Sequence, residues 1–185
     1  MIKYEDLYND VKSKLSEKRF KHSEGVVKRA IEYAKIYNVD IETVKLVAIS
    51  HDIAKELSEE ENRKYIEEYG IKLDDMEKKN HNLLHAKIGA YICMNQYGFS
   101  EEMANAVRFH TTGRENMSML EKIIYTADAT EEGRNYHSDY YINLVKNDIN
   151  RGIFEICKWV TGRLLERNET IHLDTVKCYN FYNKV

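Results

Sequence analysis

The stretch Val44-Lys45-Leu46-Val47-Ala48-Ile49-Ser50-His51-Asp52 decides how the chain reads. Val44, Val47 and Ala48 lie seven, four and three residues before His51, so a helical period carries the histidine onto the apolar face. The same phase recurs at other polar residues. His110 follows Met103, Ala106 and Val107 at the same offsets, and Asp128 follows Ile124 and Tyr125. His22 is followed by Val26 and Ala30, and His85 by Ile88, Gly89 and Ile92. Each of these polar groups is therefore expected on the core side of its own helix. One histidine on an apolar face is ordinarily a satisfied core residue, and one aspartate near a helix end is ordinarily a cap. An ordered series of His22, His51-Asp52, His85, His110 and Asp128 is a different matter, because burying so many polar groups is costly unless something compensates them. One metal centre compensates them together, since neutral imidazole and carboxylate ligate iron, manganese, zinc and related ions.

The rest of the chain reads as helix. Expected helices run over about Tyr4–Leu15, Glu17–Tyr37, Ile41 to the His51-Asp52 segment, Ser58 to Gly70, Leu83–Tyr97, Ser100 to His110 and Ser118 to Asp128. Three more are expected over Tyr140–Asn147, Ile153–Arg167 and Thr175–Tyr182, with Asp174 as an ordinary N-cap. Ser58 with Glu61 is a capping-box signature, Ser100 and Ser118 precede acidic first turns, and Gly70 and Gly98 are typical stops. No segment reads as a convincing strand. The expected fold is all-α, a single bundle of about nine to ten helices spanning residues 1–185. Its ligand-bearing core would be residues 17–130, with C-terminal helices over 138–185 supporting or capping the site. Proline is absent, where average usage would give about nine, and that fits an all-helical chain.

Composition narrows the function classes. The 185 residues are 43% hydrophobic and 32% charged, enough for a real core under a solvated surface. The net charge is −3, and 28 basic residues interleave with 31 acidic ones, so no nucleic-acid or membrane partner is expected. No segment offers the ~20 apolar residues of a transmembrane helix. Met1–Asp6 is charged and lacks the apolar run of a signal peptide. Cys93, Cys157 and Cys178 are far apart, odd in number and form no CxxC pattern. The expectation is a cytoplasmic chain with reduced, buried thiols. Fourteen tyrosines leave room for a homodimer.

A His/Asp cluster without thiolates favours a hydrolytic or oxygen-handling metal over structural zinc. The expected first ligands are His22, His51, Asp52 and Asp128. A cation held there lowers the pKa of a bound water and acts as a Lewis acid on a phosphoryl oxygen. Asp52 has the oxygens to bridge to a second ion, which His85 and His110 would ligate; with one ion only, those two histidines would bind phosphate. Lys55, one turn beyond the pair, and Arg114 and Arg134, in polar loops after His110 and Asp128, are candidates for phosphate. The plainer reading of each is a solvated charge. His81, four residues before His85, reads as exposed, and His137 has no evident partner. His172 and Thr175 precede and open the last helix, whose N-terminus suits an anion.

These residues resemble the HD-domain metal-dependent phosphohydrolase superfamily, in the order His22, His51-Asp52, His85, His110, Asp128. Longer stretches are similar to one branch, the bacterial HD-type symmetrical bis(5′-nucleosyl)-tetraphosphatases. They include Arg19-Phe20-Lys21-His22-Ser23-Glu24-Gly25, His51-Asp52-Ile53-Ala54-Lys55 and His110-Thr111-Thr112-Gly113-Arg114. The tail Ile171-His172-Leu173-Asp174-Thr175-Val176 belongs with them, and the likeness runs from about residue 15 to the end. The resemblance implies an all-α fold and an iron-type cation at His22, His51, Asp52 and Asp128, with manganese, nickel, cobalt or zinc as substitutes. It implies a nucleotide site touching Gly25, His85, His110, Arg134 and the segment from His172 through Thr175 to Lys177. Asp52, His85, His110 and Lys55 would carry catalysis. The implied reaction is diadenosine tetraphosphate plus water giving two ADP. Ala86, Glu115, Glu132 and Leu173 stand where the branch often has proline, which bears on loop rigidity and spares every ligand. The rivals are another nucleotide or cyclic-nucleotide phosphohydrolase, a diiron oxygenase, and a metal-bound nucleotide sensor without turnover.

Overall fold

The computed structural model describes residues 2–133 and 138–184. Within them the chain forms ten α-helices: α1 (Tyr4–Lys14), α2 (Glu17–Tyr37), α3 (Ile41–Ser50), α4 (Glu59–Glu68), α5 (His81–Tyr97), α6 (Glu101–Arg108), α7 (Met119–Thr130), α8 (Ser138–Asn147), α9 (Ile149–Glu166) and α10 (Leu173–Tyr182). A 3₁₀ turn, Glu77–Lys79, precedes α5. Among the described residues there is no strand, and no helix is long and apolar enough to cross a membrane.

Helix α3 sits at the centre. Its Val44, Leu46, Val47, Ala48 and Ile49 are all buried, so it is apolar around most of its circumference and is enclosed by α1, α2, α6 and α7. Helix α5 packs on α6, while α9 packs against α7, α8 and α10. Side-chain caps set most helix starts. Ser58 and Ser118 both form complete capping boxes, with Glu61 and Glu121. Asn38 and Gly98 end α2 and α5 in the left-handed conformation.

Four starts differ from expectation: α5 and α8 each begin two residues early, at His81 and Ser138, and α9 and α10 also begin early. Helix α9 begins at Ile149, four residues early, because the Asp148 side chain accepts from the backbone N–H of Asn150 and Arg151. Helix α10 begins at Leu173, and its N-cap is His172 rather than Asp174: Nδ1 of His172 accepts from the N–H of Asp174. A histidine is an uncommon cap, so the polar stretch before it reads as loop until its partner is seen.

Candidate metal centre and adjoining cleft

Helix α3 stops at Ser50, whose hydroxyl donates back to the carbonyl of Leu46. The chain then turns tightly, with Ile53 N–H on Ser50 O at 3.0 Å and Lys55 N–H on Asp52 O at 2.8 Å. That turn leaves His51 and Asp52 at the buried end of the central helix, 0% and 3% exposed. His22 comes from α2, His85 from α5, and Asp128 from the last turn of α7. His110 lies two residues past α6, where Gly113 N–H bonds Phe109 O at 2.8 Å. Gly113 has φ +62, and a Cβ there would stand 2.6 Å from the Cys178 sulfur, so conformation and space both require glycine.

The six side chains meet around the two oxygens of Asp52. Oδ1 lies 3.0 Å from His85 Nε2 and 3.5 Å from His110 Nε2. Oδ2 lies 3.5 Å from His51 Nε2 and 3.7 Å from His22 Nε2. Asp128 Oδ1 approaches the same two imidazoles, at 3.1 Å from His22 Nε2 and 3.9 Å from His51 Nε2. One carboxylate therefore faces two histidine pairs, one on each oxygen.

Hydrogen bonds at the far ring nitrogens fix how these imidazoles present themselves. His51 Nδ1 donates to Ala48 O at 2.7 Å, and His110 Nδ1 to Val107 O at 2.6 Å. In a neutral ring the lone pair is then on Nε2, turned toward Asp52. His51 Nε2 is buried with no hydrogen-bond partner. A lone pair facing two carboxylates is electrostatically unfavourable unless a cation stands between them. The donor set fits a divalent or trivalent metal ion: in each of the groups His22, His51, Asp128 and His51, Asp52, His110, one nitrogen or oxygen per residue lies within 4.8 Å of the others.

Burial pushes the Asp52 carboxyl up, yet the imidazoles of His51, His110 and His85 gathered around it outweigh that and hold the group well below the usual carboxylate range. It is an anion at neutral pH. Burial pushes His85 down to about 4 against the pull of Asp52, so its ring is neutral at pH 7.

A cleft of 370 Å³ opens over Asp52, His110 and Asp128. One wall is polar, with Arg19, Lys55, Asn82, Thr111 and Thr112. The cleft is also lined by Val160 and Leu164 of α9, by Thr175 of α10 and by His172, the N-cap of that helix. Lys55 Nζ lies 3.1 Å from Asn82 Oδ1 and 3.4 Å from His85 Nδ1. A second cleft, of 540 Å³, adjoins His22 and is lined by Gly25 and Glu131. The expected nucleotide residues are thus divided. His110, His172 and Thr175 line the first cleft, whereas Gly25 lines the second. Lys177 is exposed and lines neither. Arg134 and His137 lie outside the described residues.

Arg114 is placed differently from its sequence reading. Its guanidinium grips the buried Glu121 through Nε and Nη2, both at 2.9 Å, and it lines neither cleft. His81 is exposed, its ring against Lys55 O at 3.0 Å. The sequence does not single out two neighbours of the centre. Arg19 Nη1 donates to Asp52 Oδ2 at 2.9 Å, and Glu131 Oε1 lies 3.2 Å from His22 Nδ1. The signal for both was spacing: Arg19 stands one turn before His22, and Glu131 three residues after Asp128.

The chain matches the HD domain over residues 19–133. It is 39% identical to a symmetrical bis(5′-nucleosyl)-tetraphosphatase of Halalkalibacterium halodurans, over 92% of this chain and 91% of the relative. It is 34% identical to the protein of the same description in Bacillus subtilis, over 92% of each. A crystal structure from Clostridium acetobutylicum, described as a predicted HD superfamily hydrolase involved in NAD metabolism, superposes with a TM-score of 0.93. That comparison covers 100% of this chain and 98% of the other at 33% identity.

Proposed function

The chain belongs to the HD-domain phosphohydrolase family, and on that premise we propose that it hydrolyses diadenosine tetraphosphate symmetrically to two ADP. The observation that carries the reading is the convergence of four imidazoles and two carboxylates, with Asp52, His110 and Asp128 among them lining a cleft sized for a nucleotide. The relatives described as symmetrical tetraphosphatases match nearly from end to end, which supports the substrate class.

In this reading His22, His51, Asp52 and Asp128 hold the cation, for which we propose iron. When bound, such an ion acidifies a water and polarises a phosphoryl oxygen. His85 and His110 bind substrate phosphate. The Lys55 ammonium beside His85 favours an anion there over a further cation, since like charges repel at that range. Lys55 and Arg19 neutralise the oxygens around the attacked phosphorus, with Thr111 and Thr112 close by in the cleft. Val160 and Leu164 offer apolar surface for a base, and His172 and Thr175 line the same cleft to anchor the rest of one ADP half; the role given to Arg134 in that anchor rests on its place in the sequence. Which phosphorus reacts depends on the distance from that anchor to the metal. Placing the β-phosphorus of the anchored half at the metal makes both products ADP.

We place the reaction in the cytoplasm, in keeping with three free, buried cysteines. The reading includes a homodimer, to which the exposed apolar side chains of Leu165, Leu173 and Val176 are available. Product analysis on a panel of dinucleoside polyphosphates, mononucleotides and cyclic nucleotides, with metal content measured on the same sample, tests the proposal. Diadenosine tetraphosphate should be the best substrate, with ADP as sole product and iron restoring the most activity. Preferential turnover of a mononucleotide or cyclic nucleotide would overturn it.

A further inference from the structure

We propose that Glu131 is a positioning residue for the metal centre, and that residue 25 is glycine to make room for it. The inference rests on the metal-centre reading. His51 and His110 are oriented locally, each by a backbone carbonyl three residues back. His22 is oriented from another element. It lies inside α2, and its Nδ1 meets Glu131 Oε1 at 3.2 Å, from the C-terminal end of α7. Glu131 is 4% exposed, and its other oxygen accepts the Gly133 N–H at 2.6 Å. Two bonds therefore pin the carboxylate behind the imidazole. With Nδ1 donating to it, Nε2 of His22 is turned to Asp128 at 3.1 Å. A carboxylate on the far nitrogen of a ligating histidine fixes the tautomer and raises the basicity of the ligating nitrogen.

Gly25 stands one turn after His22 on the same helix. A Cβ there would lie 2.6 Å from Glu131 Oε2, and relieving that approach means moving the carboxylate off His22 and Gly133. Glycine costs a helix interior stability, so a reason for it is needed. The space taken by Glu131 supplies one without any contact to substrate.

Binding of Co²⁺ alone, followed by its visible spectrum and by chelator competition, tests this on wild type, Glu131→Gln, Glu131→Ala, Gly25→Ala and the Gly25→Ala/Glu131→Ala pair. Glu131→Gln, which keeps the side-chain shape, guards against a variant that fails to fold. Both Glu131 variants and Gly25→Ala should bind about 10–100-fold more weakly, with a changed ligand-field spectrum and a folded metal-free state. The double variant should bind as Glu131→Ala does. Wild-type affinity in both Glu131 variants overturns the assignment, and a further loss on adding Gly25→Ala to Glu131→Ala overturns the role given to Gly25. Wild type that binds no Co²⁺ overturns the metal centre itself, and this assignment with it.

Discussion

Replacing Arg114 by alanine should cost fold stability and leave substrate affinity alone. The guanidinium donates to both oxygens of Glu121 at 2.9 Å and stacks on Phe109 with 5.3 Å to the ring centroid. Glu121 is 2% exposed and also accepts the Ser118 N–H at 2.6 Å, closing the cap of α7. Truncating Arg114 strands that carboxylate with the cap N–H as its remaining partner. Breaking a fully buried pair costs roughly 3–5 kcal/mol. The Arg114 side chain is 32% exposed, so water screens this pair and reaches part of what it leaves behind. We therefore expect about 2 kcal/mol, or a melting temperature lower by roughly 4–8 °C for a domain of this size. Adding Glu121→Gln removes the stranded charge and should recover part of the loss. Thermal denaturation with and without bound metal reads the stability, and steady-state kinetics reads KM. An unchanged melting temperature together with a raised KM would refute the reasoning and return Arg114 to the phosphate role its loop position suggests.

Asp52→Ala and Asp128→Ala should each lose most bound metal and all measurable turnover while circular dichroism stays helical; full metal content in either variant would remove that residue from the ligand set. His110→Asn should raise KM or lower kcat with about one metal per chain retained, whereas a fall from two metals to one would reassign His85 and His110 to a second ion. Acid should weaken the metal-free protein through His85. Its folded pKa, about 4, lies below the unfolded ~6.5, so its contribution is complete above pH 6.5 and is lost as pH falls toward 4. The loss should amount to ~3 kcal/mol over that window, and denaturant titration of His85→Asn should show a flatter pH dependence there. Equal slopes in the two proteins would contradict the placement of a neutral, buried imidazole.

The sequence makes the ligands legible for a physical reason. Each is a polar residue in helical phase with an apolar face, a conflict that only a shared partner resolves. Helices α4, α6 and α7 are equally readable, because Ser58, Ser100 and Ser118 announce their starts. What escapes is whatever depends on distant elements meeting. Glu131, in Glu131-Glu132-Gly133, reads as a surface acid at a helix end, and its burial against His22 appears only when α2 and α7 are packed. Arg114 reads as a phosphate ligand because nothing in the sequence reveals that Glu121 will be buried beside it. His172 escapes as a cap because its side chain both closes α10 and reaches Asp74 at 3.0 Å, from the loop before α5.

Hydrolysis of diadenosine tetraphosphate in oxygen-18 water tests the central claim most directly. Anchoring one ADP half with its β-phosphorus at the metal predicts ADP as sole product, with one label in the terminal phosphate of one of the two ADP molecules. Arg134→Ala should slow that reaction and weaken substrate binding with the metal still in place. AMP and ATP as products would contradict the anchoring, even with the metal centre intact.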